Sequence, residues 1–286
     1  MTARAETPWQ EVGERCFRRR YASCDLNIGV VRGSDALLLI DTRCHDREAA
    51  ELLDELRVFG TRPIRWVVNT HWHFDHTFGN AAIRRAAPPG LEIWGHRVMR
   101  DELLRWSTST LGELVDARPE WKADLEAVEI VPPDHLVDDV AVVDLGDRVV
   151  RLQHFGPAHT AGDLVAFVDD AGAVFAGDLV EESAPPVYGD DAHPCDWPAS
   201  NAALLERVAA HATVVPGHGD VVDRAFVATQ LAELASVAEL IRELRDAGVE
   251  AGDALGAGRG RWPFPEDAFA ESVANGYAAL AHETDA

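Results

Sequence analysis

The stretch Trp66-Val67-Val68-Asn69-Thr70-His71-Trp72-His73-Phe74-Asp75-His76-Thr77-Phe78-Gly79-Asn80 decides the reading of this chain. It opens as an apolar run of the kind that forms a buried strand and closes in a Gly-Asn turn. His71 and His73 stand two residues apart, so on an extended backbone their imidazoles point to one side. Asp75 and His76 follow where the chain must turn, and they can reach a second position nearby. Imidazole and carboxylate are the ligands that zinc and similar divalent ions prefer. A polar loop with a chance histidine accounts for one such residue. It accounts poorly for three His and one Asp within six positions directly after a strand. The stretch reads as a metal site.

Working outward, the chain alternates strand and helix signals. Asn27 to Val31 and Ala36 to Ile40 form a hairpin pattern around Arg32-Gly33-Ser34-Asp35, ending in Asp41-Thr42. Asp46 to Phe59 reads as an amphipathic helix with Asp46 as N-cap and Gly60 as its stop. Ile64 to Val68 is the strand that delivers the histidines, followed by a short helix over Asn80 to Ala87 and a strand over Leu91 to Trp94. Arg97 to Val128 is helical in pattern, interrupted by Ser107-Thr108-Ser109-Thr110 and by Pro119. It reads either as a helical pair packed on the core or as a lid whose aromatic residues, Trp106 among them, line a pocket. Strands are expected at Val140 to Val143, Val149 to Gln153, Leu164 to Val168, Ala173 to Ala176 and Thr213 to Val215. Helices are expected at Ala199 to Ala210 and Ala225 to Ala247. A Gly-rich stretch (Gly252 to Gly260) and a terminal helix near Glu266 to Ala281 close the chain. Such alternation points to layered α/β architecture.

Composition narrows the partners. There are 26 basic and 49 acidic residues in 286, a formal charge of −23 that repels phosphate backbones and argues against nucleic acid. Met1 to Arg20 holds no apolar run of the secretory type, and no stretch has the apolar length that spans a bilayer, so a cytoplasmic protein without a membrane partner is expected. Cys16, Cys24, Cys44 and Cys195 lack C-x-x-C spacing and read as reduced thiols, with a Cys24–Cys44 pairing left open.

The run H-x-H-x-D-H at residues 71–76 resembles the central motif of the metallo-β-lactamase-fold hydrolases. Three later stretches resemble the family's remaining motifs: Gly156-Pro157-Ala158-His159-Thr160-Ala161-Gly162-Asp163, the strand end Gly177-Asp178, and Pro216-Gly217-His218-Gly219. The resemblance covers roughly residues 27 to 220. It implies an α/β fold, a four-layer αββα sandwich of two mixed β-sheets with helices on the outer faces. One domain over 1–286 is expected, with the metal core at about 27–220 and a helical C-terminal extension at about 223–286. It also implies His71, His73 and His159 as ligands of a first metal and Asp75, His76 and His218 as ligands of a second. On the same resemblance Asp178 would bridge the two, Asp75 and Asp178 would be catalytic, and Asp41 would support the loop without binding metal; taken alone, Asp41 reads equally well as a turn residue.

The implied cofactor is Zn2+, two per chain, with Fe or Mn as alternatives. The implied reaction is hydrolysis of a small ester, lactone, thioester or amide by water acidified between two cations. A mononuclear iron persulfide dioxygenase of the same fold is the alternative. Leu179 to Glu206 holds no Lys or Arg and carries Glu181, Glu182, Asp190, Asp191 and Asp196. This loop, with Tyr188, is expected to flank the pocket, so a neutral or cationic small-molecule substrate is preferred over a dianionic glutathione adduct.

Overall fold

A computed structural model describes residues 8–268 and 272–284 of the chain. Its first sheet contains β1 (Gln10–Gly13), β2 (Cys16–Arg20), β3 (Asn27–Arg32), β4 (Leu37–Ile40), β5 (Ile64–Val68), β6 (Glu92–His96) and β7 (His135–Val137), in that spatial order. The strands from β1 to β4 pair antiparallel and those from β4 to β7 parallel, so the sheet is mixed. The second sheet holds β8 (Val140–Asp144), β9 (Val149–Gln153), β10 (Val165–Val168), β11 (Ala173–Gly177) and β12 (Thr213–Pro216). It is antiparallel except for the β11–β12 pair.

Both sheets are covered on both faces, which is why their central strands are nearly all apolar. In β4, Leu38 and Ile40 point between the sheets, where they meet Leu152, Ala166, Val168 and Phe175. Leu37 and Leu39, on the opposite face, pack under α1 (Asp46–Glu55) and α3 (Asn80–Ala86) through Leu52 and Ile83. The short α2 (Phe74–Thr77) precedes α3. The second sheet turns Val165, Phe167 and Val174 outward onto α6 (Trp197–Arg207) and α7 (Arg224–Asp246), through Leu204, Leu234 and Ile241. Helix, sheet, sheet, helix is the four-layer αββα sandwich expected.

Several local expectations change. The α1 N-cap is His45, whose Nδ1 accepts from the Glu48 amide at 3.3 Å, rather than Asp46. Helix α4 (Arg97–Ala117) runs without a break through residues 107–110. There Ser109 and Thr110 donate to the Trp106 carbonyl at 2.8 and 3.1 Å, so the hydroxyls are satisfied inside the helix instead of competing with it. Pro119 opens a 3-10 turn leading to α5 (Lys122–Leu125). The Gly-rich stretch is largely α8 (Ala251–Ala257), and the terminal helix is α9 (Val273–Thr284), beyond a 3-10 turn at Glu266–Ala268. Residues 269–271 of the expected terminal helix, and 1–7 of the polar N-terminus, lie outside the described residues.

Strands β1 and β2 were not expected from the sequence, because Cys-Phe-Arg-Arg-Arg carries no strand pattern. Arg18 and Arg20 are buried in β2 and hold Asp220 at 3.3 and 2.8 Å, and Arg20 also holds Asp25 at 2.6 Å. Ion pairing and buried aliphatic stems let arginine occupy sheet positions that apolar residues normally take.

Candidate metal centre

The histidine-bearing loop leaves the end of β5 and is pinned by buried amides. Asn69 donates to the His76 carbonyl at 3.1 Å, and Asn80 donates to Asn69 Oδ1 at 2.8 Å. Thr42, at the end of β4, donates to the same His76 carbonyl at 3.1 Å. The Gly-Asn turn therefore clamps the loop as well as ending it. β11 delivers Asp178, the loop before β10 delivers His159, and the end of β12 delivers His218. Gly217 lies so close to Asp178 that an added Cβ would stand 1.7 Å from Oδ1, so only glycine admits the carboxylate there.

All seven candidate ligands meet at one place. His71 Nε2 lies 3.1 Å from His73 Nδ1, which lies 2.9 Å from His159 Nε2. On the other side, His76 Nε2 lies 3.4 Å from His218 Nε2, with Asp75 Oδ2 at 3.7 and 3.5 Å from them. Asp178 stands between the groups. Its Oδ2 is 3.0 Å from His218 Nε2, 3.6 Å from His159 Nε2 and 3.9 Å from His71 Nε2, and its Oδ1 is 3.4 Å from His76 Nε2. His71–His73–His159 and Asp75–His76–His218 each form a set able to hold a cation. His154, outside both, pairs through Nδ1 with the Asp163 carbonyl at 2.9 Å and stacks on His96.

The far nitrogen of every ring is engaged. His71 Nδ1 meets Thr70 Oγ1 at 3.1 Å, and that hydroxyl donates to Asp41 at 2.9 Å. His73 Nε2 meets Asp191 Oδ2 at 3.1 Å, and His76 Nδ1 meets Asp41 Oδ2 at 2.8 Å. His159 Nδ1 and His218 Nδ1 meet the carbonyls of Val187 and Cys24 at 3.0 and 2.7 Å. Carbonyls and carboxylates accept, as does the Thr70 hydroxyl once its proton points to Asp41, so each ring carries a proton on its far nitrogen. His71 and His159 then turn lone pairs inward, and His73 adds a third once it gives up its second proton, all within about the length of a hydrogen bond. Asp178 Oδ1 is buried without a hydrogen-bond partner. Converging lone pairs and an orphaned carboxylate oxygen suit a divalent cation, so the donors fit a metal.

Electrostatics separates the two sets. Burial, helped by neighbouring imidazoles, holds His71 well below its ordinary range and His159 down to about 4, so both are neutral at pH 7. Burial also opposes charge on His76, but Asp178, Asp75 and Asp41 together raise it to about 9. His218 is raised for the same reason, chiefly by Asp178. Burial opposes charge on His73 as well, but Asp191, with Asp75 and Asp178, raises it.

The structure corrects two sequence expectations. Glu181 is not on the pocket rim: it is buried, accepts from the Val187 amide at 3.0 Å, and is pushed up to about 8 by burial and by Asp178. Tyr188 packs in the core against Trp197, ring centroids 5.0 Å apart, rather than facing substrate. Asp191 was noticed only as an acid in a loop, and the Val187 and Cys24 carbonyls carry no residue-type signal at all. Cys24 and Cys44 are free thiols with sulfurs 3.8 Å apart. Beside His73 opens a cavity of about 860 Å3, walled by α4, residues 190–193 and α9, and including Trp106.

An αββα sandwich with histidines and aspartates gathered at the strand ends defines a metallo-hydrolase fold. The chain belongs to the metallo-beta-lactamase superfamily, whose profile matches residues 24–218. It is 31% identical over 219 residues to the acyl-coenzyme A thioesterase MBLAC2 of Gallus gallus, covering 73% of this chain and 76% of that one. Among solved structures it is similar to the metallo-beta-lactamase FIM-1 from Pseudomonas aeruginosa in its mono-zinc form. That likeness has a TM-score of 0.63 at 20% identity over 83% of this chain and 99% of that one. It is also similar to the sec-alkylsulfatase Pisa1 from Pseudomonas sp., with a TM-score of 0.75 at 16% identity over 95% of this chain and 50% of that one. No helix among the described residues is long and apolar enough to cross a membrane.

Proposed function

We propose that this chain is a dinuclear metallo-hydrolase that cleaves a small ester, lactone, thioester or amide. His71, His73 and His159 would hold one cation, Asp75, His76 and His218 the other, and Asp178 both. Imidazole and carboxylate donors in these numbers suit Zn2+, with Fe or Mn as alternatives. Two such cations would supply Lewis acidity and lower the pKa of a bound water. The observation that carries the reading is the convergence of bare ring nitrogens, each oriented by a partner on its far side.

The protein's own residues do the rest. Asp178 would set the separation of the two sets, since its carboxylate reaches rings of both. Asp75 Oδ2, directed at His76 and His218, would orient the attacking water and hold its proton during bond cleavage. The acidic cavity beside the site favours a neutral or cationic small molecule over a polyanion, and the net charge of −23 disfavours nucleic acid. A cytoplasmic enzyme and one folded unit including the C-terminal helices complete the reading.

Metal analysis of the purified protein, with a panel of ester, lactone, thioester and β-lactam substrates, tests it. Two metals per chain are expected. His71→Ala should lose chiefly the first and His218→Ala the second, each with activity falling by about 100-fold or more. Variants that keep two metals and full hydrolysis would sink the ligand assignment.

A further inference from the structure

The cavity beside the metal centre has a chemical character that the ligand set does not require. It touches that centre through two residues. Trp72 lies between His71 and His73, and its Nε1 donates to Asp191 Oδ2 at 2.8 Å, the same oxygen that receives His73 Nε2. Two indoles, Trp72 and Trp106, belong to its wall. Five carboxylates line it (Asp101, Glu102, Glu113, Asp190, Asp191) against one guanidinium, Arg105. Arg105 already shows what the wall accepts: its guanidinium carbon sits 4.4 Å over the Trp106 ring. Glu102 supplies the independent sign of a missing partner. Its Oε2 is buried and makes no hydrogen bond.

A buried carboxylate oxygen without a partner is costly unless a proton or cation meets it. Burial and the nearby Asp191 charge push the Glu102 carboxyl up to about 7, so a proton can offset part of that cost. A ligand cation would meet the same need while the carboxylate stays ionised. Aromatic faces beside carboxylates are the surroundings in which alkylated ammonium groups are held, by attraction to the ring quadrupole together with counter-charge. A polyphosphate arm would face like charge on nearly every side.

We propose that this cavity binds an alkylated ammonium group of the substrate, with Glu102 and Asp191 as counter-charges and Trp72 and Trp106 as aromatic walls. The reacting carbonyl would then lie at the metal centre. The proposal rests on the hydrolase reading for that reacting end only; the cation site stands on the cavity itself. It parts company with the thioesterases similar to this chain, whose name specifies acyl-coenzyme A, a polyanion.

Calorimetry on the full-length, metal-loaded protein decides the cation site without any turnover. Choline should bind at least tenfold more tightly than 3,3-dimethyl-1-butanol, its neutral counterpart of the same shape. Glu102→Gln should remove most of that difference, and Trp106→Leu should weaken choline more than the alcohol. Trp106 is 41% exposed, so its variant tests the wall without emptying a core. Equal affinities for choline and the alcohol overturn the proposal, as does a preference for choline that survives both substitutions.

Kinetics then separates this inference from the reading beneath it. Butyrylthiocholine, the N-acetylcysteamine thioester of 4-(trimethylammonio)butyrate, butyryl N-acetylcysteamine and butyryl-coenzyme A share one scissile bond and differ in charge. At least one of the two cationic thioesters should exceed the neutral one by tenfold in kcat/KM, with the coenzyme A ester slowest. Hydrolysis led by the coenzyme A ester overturns the cation site. If choline binds as expected while no ester, lactone, thioester or amide is cleaved, the hydrolase reading fails and the cation site stands.

Discussion

The two halves of the candidate metal centre share Asp178 and, behind His71 and His76, Asp41, and they differ in their other outer partners and in charge. The first half is three imidazoles, two of which burial keeps neutral. Its outer partners for His73 and His159 come from the loop after β11: the Asp191 carboxylate and the Val187 carbonyl. The second half is one carboxylate and two imidazoles that hold protons against Asp75 and Asp178. Its outer partners come from the first sheet's strand ends and turns, namely Asp41 after β4 and the Cys24 carbonyl before β3. One half is therefore preset for a cation and leans on an acidic loop beside the large cavity. The other is held by the sheet and would exchange protons for any cation it took. Ligand identity alone would not distinguish them so sharply.

The largest effect should come from the residue that joins the halves. Asp178→Asn keeps the shape and removes the one negative charge shared by both. An amide is a poor ligand beside a carboxylate, so metal should fall at both sites and activity by orders of magnitude, with partial rescue by excess zinc. The lost charge would make any remaining bound water more acidic, but lost metal and lost geometry should outweigh that. Normal metal content and wild-type turnover in this variant would show that the halves are not joined through Asp178.

A smaller and more selective effect is expected at Asp191. Its Oδ2 orients His73 and receives Trp72, and it reaches no ligand of the second half. Removing a carboxylate behind a metal-bound histidine typically lowers affinity about 10- to 100-fold. Asp191→Asn should do so at the first site and leave the second within about twofold, read by stepwise chelator competition. Equal losses at both sites would dissolve the distinction between a loop-held half and a sheet-held half.

How much of this is legible in the sequence depends on where the information resides. All seven converging residues lie at strand ends or in turns; the cluster at residues 71–76 is legible from residue type and spacing, whereas His159, Asp178 and His218 are picked out by the family resemblance. Apolar strands alternating with helices point only to layered α/β architecture; the αββα sandwich is what the family resemblance implies. The outer partners were mostly illegible. A carbonyl such as that of Val187 or Cys24 belongs to every residue, and only the fold aims it at a ring. Glu181 was misplaced for a related reason: in an acidic loop, one buried carboxyl looks like its exposed neighbours. Strand β2 hid behind its arginines, and β7, only three residues long, was too short to announce itself.

The comparison can also be tested without a mutation, through a difference between two pH slopes. A metal binds deprotonated ligands, so affinity rises with pH wherever a ligand must give up a proton. In the second half His76 titrates at about 9 in the metal-free protein, above its ordinary 6.5. Between about pH 6 and 8, affinity there should climb roughly tenfold per pH unit for each proton displaced. In the first half His71 and His159 have already lost theirs, so the climb should be shallower. What remains there comes from His73, and Asp191→Asn should flatten it further. Stability should follow with opposite signs. For the metal-free protein, the raised His76 contributes stability that is full below about 6.5 and lost as pH rises through about 9. For the metal-loaded protein, tighter binding at higher pH adds stability. Melting temperatures of chelated and zinc-loaded samples should therefore diverge as pH increases from about 6 to 8. Parallel curves, or equal pH slopes for the two binding steps, would mean that the halves are electrostatically alike.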